Sequence, residues 1–145
     1  MTTATEFLLG ARDHRGRTVE TFIRADDAWL EDWHDWIQWA FPNREASPFN
    51  PEAPVWTPAE AAALPPSARE NLLRLLDRYR AFLEAMDCWR RSFDHNHARI
   101  TRVLLCLRDA GFQREARDLH AFVCSAPEPG VRSRQFWLDA LDPTA

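Results

Sequence analysis

Two stretches of this 145-residue chain collect the side chains that can hold an ion or move a proton. One is His34-Asp35 with Gln38 and Trp39. The other runs Asp94-His95-Asn96-His97-Ala98-Arg99-Ile100-Thr101-Arg102. A histidine beside a carboxylate has the makings of a base and its orienter. Arg99 and Arg102 are three residues apart, so on a helix they share a face, and paired guanidinium forks suit a phosphate or a carboxylate. The start of that helix adds unpaired amide hydrogens and the positive end of its dipole. The same residues also have a plainer use. His95, Asn96 and His97 are capping types at a helix start. Arg99 and Arg102 can pair with Glu31, Asp35 or other acids in a structural network, and His34 can be a hydrogen-bonded residue at the edge of an apolar face.

Other chemistries find less support in the spacing. His34-Asp35 is the pair used by metal phosphohydrolases, but such a site needs further His and Asp ligands on other helices. Nothing selects them from His14, His95, His97 and His120. The three cysteines, Cys88, Cys106 and Cys124, are eighteen residues apart, whereas metal-binding pairs lie two to four apart. There is no Gly-rich phosphate loop and no Gly-x-Ser-x-Gly. No catalytic residue, metal or cofactor is assigned.

The elements that must position these residues read as helices. On a helical wheel over Asp26–Pro42, Trp29, Leu30, Trp33, Trp36, Ile37, Ala40 and Phe41 fall within an arc of roughly 140°. This predicts one continuous core helix, capped by Asp26 or Asp27 and stopped by Pro42. Glu31, Asp35 and Gln38 fall opposite, with His34 and Trp39 at or beyond the edges. A long amphipathic helix is expected from Ser67 to about Cys88, carried by Leu72, Leu75, Leu76, Tyr79, Phe82, Leu83 and Met86. Further helices are expected over about 95–110, ended by Gly111, over 112–124, and over 133–141, with short ones at 4–9, 18–24 and 58–64. The segment 43–57 holds Pro48, Pro51 and Pro54, so it is irregular, pinned by the rings of Phe49 and Trp56. No stretch alternates with period two. The fold class is therefore all-α: one domain over 1–145, a compact bundle of six to eight helices.

Composition narrows the function. The net charge is −4 and the chain has no lysine, which is read as genomic bias. An acidic balance argues against holding nucleic acid or an anionic membrane. No apolar run reaches the roughly 18 residues of a membrane span. The N-terminus lacks the basic and apolar regions of a signal peptide. Sparse, odd-numbered cysteines fit reduced thiols in a cytoplasm.

The sequence carries a family resemblance. His34-Asp35-Trp36-Ile37-Gln38-Trp39-Ala40-Phe41-Pro42 resembles the His-Asp-Tyr-Ile-Gln-Trp-Leu-Phe-Pro signature of the opioid growth factor receptor conserved domain. His95-Asn96-His97-Ala98-Arg99-Ile100-Thr101-Arg102 resembles that family's His-Asn-His-Leu-Arg-Ile-Thr-Arg. Weaker matches at Phe49-Asn50-Pro51, Ala53-Pro54, Leu107–Gly111 and Phe136-Trp137 follow in the family's order across nearly the whole chain. Trp36, Ala40 and Ala98 replace a tyrosine and two leucines. The resemblance implies a helical domain, here a short bacterial member, with receptor-like binding of a peptide. The family brings no catalytic assignment. The candidate ligand-binding set is then His34, Asp35, Gln38, Trp39, Asn50, His95, Asn96, His97, Arg99 and Arg102. Three functions compete: a module binding a peptide or small anion, a structural or protein-interaction domain, and a phosphate-handling hydrolase using His34 and Asp35 with Arg99 and Arg102.

Overall fold

The computed structural model describes residues 1–142. Among them the elements are α1 (Ala4–Leu8), α2 (Val19–Arg24), α3 (Asp27–Asp32), α4 (Ile37–Ala40), α5 (Pro58–Ala62), α6 (Pro66–Ala85), a 3-10 turn (Cys88–Arg90), α7 (Asn96–Asp109), α8 (Gln113–Cys124) and α9 (Val131–Ala140). No strand occurs among the described residues, only an isolated bridge between Ser47 and Asn50. The fold is all-α, as the periodicity requires.

The twenty-residue α6 is the pillar. Leu72, Leu75, Leu76, Tyr79, Phe82 and Leu83 are buried along it. α1, α2 and α3 pack against it. α7 carries the second half of the bundle, with α8, α9 and the 3-10 turn against it. Gly111 closes α7 at φ +83°, a left-handed conformation that side chains resist.

Indole N–H groups close the elements. α6 stops at Ala85 rather than near Cys88, and the chain turns back so that Trp89 Nε1 donates to Leu83 O at 2.7 Å. Trp36 Nε1 donates to Leu30 O at the end of α3 (3.0 Å), and Trp137 Nε1 donates to His97 O on α7 (3.1 Å). Each ring thus fills the core while its N–H finds a backbone carbonyl, so no indole donor of these three is buried without a partner.

The continuous tryptophan helix does not form. α3 ends at Asp32, Trp33 is extended (φ −89°, ψ 136°), and α4 starts only at Ile37. The wheel holds for Leu30, Trp36, Ile37, Ala40 and Phe41, which are buried, but the four-residue break resets the helical phase and other residues on both sides of it depart from the wheel. Trp33, expected in the core, is 42 % exposed, and Trp29 is only partly buried. Trp39 and Gln38, expected outside, are buried at 2 % and 9 %. This split accounts for a ninth helix among the described residues. The segment 43–57 is irregular as expected, but only one of its rings pins it: Trp56 is buried, whereas Phe49 is 91 % exposed.

Candidate functional site

The break in the tryptophan helix is held by Arg99. From α7 its Nη1 donates to Leu30 O (2.8 Å), and its Nη2 donates to Trp33 O (2.7 Å) and, more weakly, to Glu31 O (3.4 Å). These are carbonyls at the C-terminal end of α3, left without intrahelical donors once the helix stops. One buried guanidinium therefore replaces the backbone bonds that a continuous helix would have made. Burial pushes the Arg99 pKa down, but Arg remains charged at any ordinary pH.

Around this joint lies a polar cluster built from both motifs. Glu31 is its hub. Its Oε1 lies 2.6 Å from His95 Nε2, and its Oε2 accepts from Asn96 Nδ2 (3.0 Å) and from Cys88 Sγ (3.4 Å). Asp94 accepts the Asn96 amide at 3.0 Å, which starts α7. His34 packs its ring against His95 with centroids 5.4 Å apart, and its Nδ1 lies 3.4 Å from Arg99 Nη2. Burial, then the charges of Arg99 and His95, holds the His34 pKa below its ordinary value. Burial also pushes the Cys88 thiol up, with Glu31 adding to it, so Cys88 stays a protonated donor rather than a nucleophile. The Tyr79 hydroxyl is fully buried without a hydrogen-bond partner among the described residues, and burial raises its pKa.

The other half of the first motif faces elsewhere. Asp35 accepts from Arg15 Nε (2.5 Å) and Arg17 Nη1 (2.9 Å). Burial opposes ionisation of Asp35, but Arg17 and Arg15 outweigh it and hold the carboxyl below its usual range. Arg17 is fixed from behind by Asp13 at 2.6 Å. Asn50 donates through Nδ2 to Asp35 O (2.8 Å) and Gln38 Oε1 (3.0 Å). Trp39 Nε1 donates to His14 Nδ1 (3.1 Å), so in neutral His14 the proton sits on Nε2, on the side of Asp35.

The remaining two candidates are also internal. His97 has Nε2 2.7 Å from Trp89 O and Nδ1 2.7 Å from Ser133 Oγ. A carbonyl can only accept, so Nε2 carries a proton towards Trp89 O, and Nδ1 shares a hydrogen bond with the Ser133 hydroxyl. Arg102 Nη1 donates to Phe41 O at 3.3 Å, and burial lowers its pKa.

The ten candidates therefore separate. His34, His95, Asn96 and Arg99 meet around Glu31. Asp35, Gln38, Trp39 and Asn50 form a second network with His14 and Arg17, while His97 binds the Trp89 carbonyl and the Ser133 hydroxyl, and Arg102 binds the Phe41 carbonyl. No hydrogen bond joins His34 to Asp35 among the described residues. No three His, Cys, Asp or Glu side chains there converge in a way that could hold a metal ion. Sequence reasoning missed Arg15 and Arg17; it named Glu31 only as a possible ion-pair partner of Arg99 or Arg102, and His14 and Cys88 only as residues that no metal spacing selects. Nothing in the stretch 13–17 pointed some twenty residues ahead to Asp35.

The solvent-facing side of α7 borders a groove of about 590 Å³. Ala98 and Thr101 of the second motif line it, with His95 beside them; Phe93, Val131 and Phe136 also line it and are 81 %, 85 % and 51 % exposed. Gly130 N donates to Ser92 O at 3.0 Å, tying together two lining residues. Arg132 also lines the groove, its guanidinium 5.9 Å from the Phe136 centroid, and it has no carboxylate partner among the described residues. No family model, curated protein or solved structure matches the chain.

Proposed function

We propose that this chain is a peptide-binding module, and that the groove between α7 and the start of α9 takes a segment carrying a large apolar side chain beside a carboxylate. The observation that carries the reading is the grouping of Phe93, Val131 and Phe136, largely exposed, around one groove. Large apolar side chains clustered in this way mark interaction surfaces, whereas singly scattered ones do not. A volume of about 590 Å³ lies in the range of ligand sites and has room for one or two side chains. Ala98 and Thr101 are small enough to leave space for an incoming ring or branched chain. Arg132, without an acid of its own, suits a side-chain or terminal carboxylate on the peptide. The resemblance to a family of peptide receptors supports the same reading, and three free thiols suit a reducing cytoplasm. In this reading the two motifs are the framework that positions α7, and the binding face is the outer side of that helix.

Selection from a random peptide library, followed by fluorescence polarisation with the enriched peptides, tests this. Enriched peptides should share an apolar anchor and an acid. Phe136→Ser should weaken them about tenfold, since one buried aromatic contact is worth that much or more. Arg132→Glu should weaken them further and shift selection towards basic peptides. No enrichment, or enriched peptides that bind Phe93→Ser, Phe136→Ser and Arg132→Glu as tightly as the parent, would overturn the reading.

A second reading, a structural or protein-interaction domain, is favoured by one observation: the polar atoms of Asn96, His97 and Arg99 are used inside the fold. It expects substitutions in the motifs to change stability alone.

A further inference from the structure

We propose that a second groove, between the Asp13–Arg17 turn and α3, is a binding site for a small organic anion: a carboxylate or phosphate attached to a flat apolar body. It lies apart from the α7–α9 groove and stands on different residues. Its volume is about 580 Å³, and Arg15, Arg17, Arg24, Trp29 and Trp33 line it.

The arginines in it are unequally used. Arg17 is spent, with Asp13 on Nε and Asp35 on Nη1, and its guanidinium lies 5.7 Å from the Trp29 centroid. It forms a wall. Arg15 gives only Nε to Asp35, and neither of its terminal nitrogens has a partner among the described residues. Arg24 is exposed and makes no hydrogen bond or ion pair among those residues. Its charge acts on Glu20, which is already paired with Arg74 at 2.5 Å. Asp26 also lines the groove, but its Oδ1 caps the Trp29 amide at 2.8 Å. Asp13, Asp35 and Asp26 match Arg15, Arg17 and Arg24 in number, so what the groove offers is not net charge but guanidinium N–H donors that no acid has taken. Two guanidinium ends therefore open onto one groove, and Asp35 holds one of them in place before any ligand arrives. Such preorganisation lowers the entropy lost on binding.

The apolar part of the site is aromatic. Trp33 stacks on Trp29 with centroids 5.6 Å apart and planes 20° from parallel, and Trp33 stays 42 % exposed. Arg15 lies 5.6 Å from the Trp33 centroid, so a fork donor and an indole sit side by side. A flat body laid along the exposed part of Trp33 brings its anionic group beside Arg15, with Arg24 lining the same groove. This also gives a use to an exposed tryptophan that the core does not require.

The probes are phenyl phosphate and benzoate, with inorganic phosphate and benzyl alcohol as the anion-only and ring-only comparisons. Binding is followed through the tryptophan indole N–H signals in two-dimensional NMR, with Trp33 assigned from Trp33→Phe. Phenyl phosphate or benzoate should shift the Trp29 and Trp33 signals saturably, and should bind about tenfold tighter than inorganic phosphate. Benzyl alcohol should leave the signals in place. Arg24→Gln should weaken binding about fivefold to tenfold with the melting temperature unchanged, because that side chain is exposed and unpaired. Arg15→Gln should do the same even if it costs some stability. The proposal is overturned by the absence of saturable shifts at millimolar probe, by benzyl alcohol binding as well as the anions, or by Arg24→Gln binding like the parent.

Discussion

Replacing Arg99 by methionine tests the central claim that one side chain holds the tryptophan helix open. Methionine keeps much of the apolar stem and removes only the fork. Leu30 O would keep the Trp36 indole at 3.0 Å, but Trp33 O would lose its 2.7 Å donor and Glu31 O its weak one. Hydrogen bonds from a charged donor contribute about 1.5–3 kcal/mol, and a stranded buried acceptor costs about 1–3 kcal/mol. Two discounts apply. Part of the desolvation cost of the guanidinium is recovered, and the exposed surroundings of Trp33 let water reach its carbonyl. The net expectation is a loss of about 2–4 kcal/mol, read by urea unfolding, or roughly 6–15 °C in melting temperature for a chain of this size. Arg99→Lys should recover less than half, because an ammonium cannot span two carbonyls as a fork does. A loss under about 1 kcal/mol for the methionine variant, or a lysine variant as stable as the parent, would show that the break is set by local sequence and not by Arg99.

The remaining predictions concern the two sides of that break. Trp39→Ala should destabilise by about 3–5 kcal/mol, as for a buried ring, and Trp33→Ala by less than about 1 kcal/mol; the reverse order in urea unfolding would restore the continuous helix. The His34 pKa is held below its ordinary 6.5 in the fold, so its contribution to stability is present above that value and is lost as pH falls through the folded pKa. The melting temperature should therefore drop from pH 7 to about pH 5 more steeply in the parent than in His34→Gln, leaving His120, also lowered by burial, to supply part of the common slope. Identical slopes would place His34 outside any linkage.

Several parts of this fold were legible because their signal is local. The 3.6-residue spacing of Leu72, Leu75, Leu76, Tyr79, Phe82 and Leu83 is a property of the stretch itself, and so is the glycine that ends α7. The two polar motifs were also visible as motifs. Their grouping was not. His34 and Asp35 are adjacent in the chain yet serve different networks, because the chain leaves the helix at an extended Trp33 and bends at Asp35 and Trp36, so the two side chains do not share a helical face.

By itself the sequence determined the helical class, the places where most helices start and stop, and the apolar stripe of the long pillar. Those follow from short-range sterics, capping and periodicity, which act within one or two turns. Tertiary structure decided which tryptophans are core, where the polar motifs point, and which faces stay open to a ligand. Each of those turns on a contact across at least fifteen residues: Arg99 on the Leu30 and Trp33 carbonyls, Asn50 on the Asp35 carbonyl, and Arg17 on its carboxylate. A wheel drawn over Asp26–Pro42 cannot contain a donor that arrives from α7. The helix breaks where that donor is supplied, and from the break onward the phase, the burial and the exposed aromatic groove are set anew.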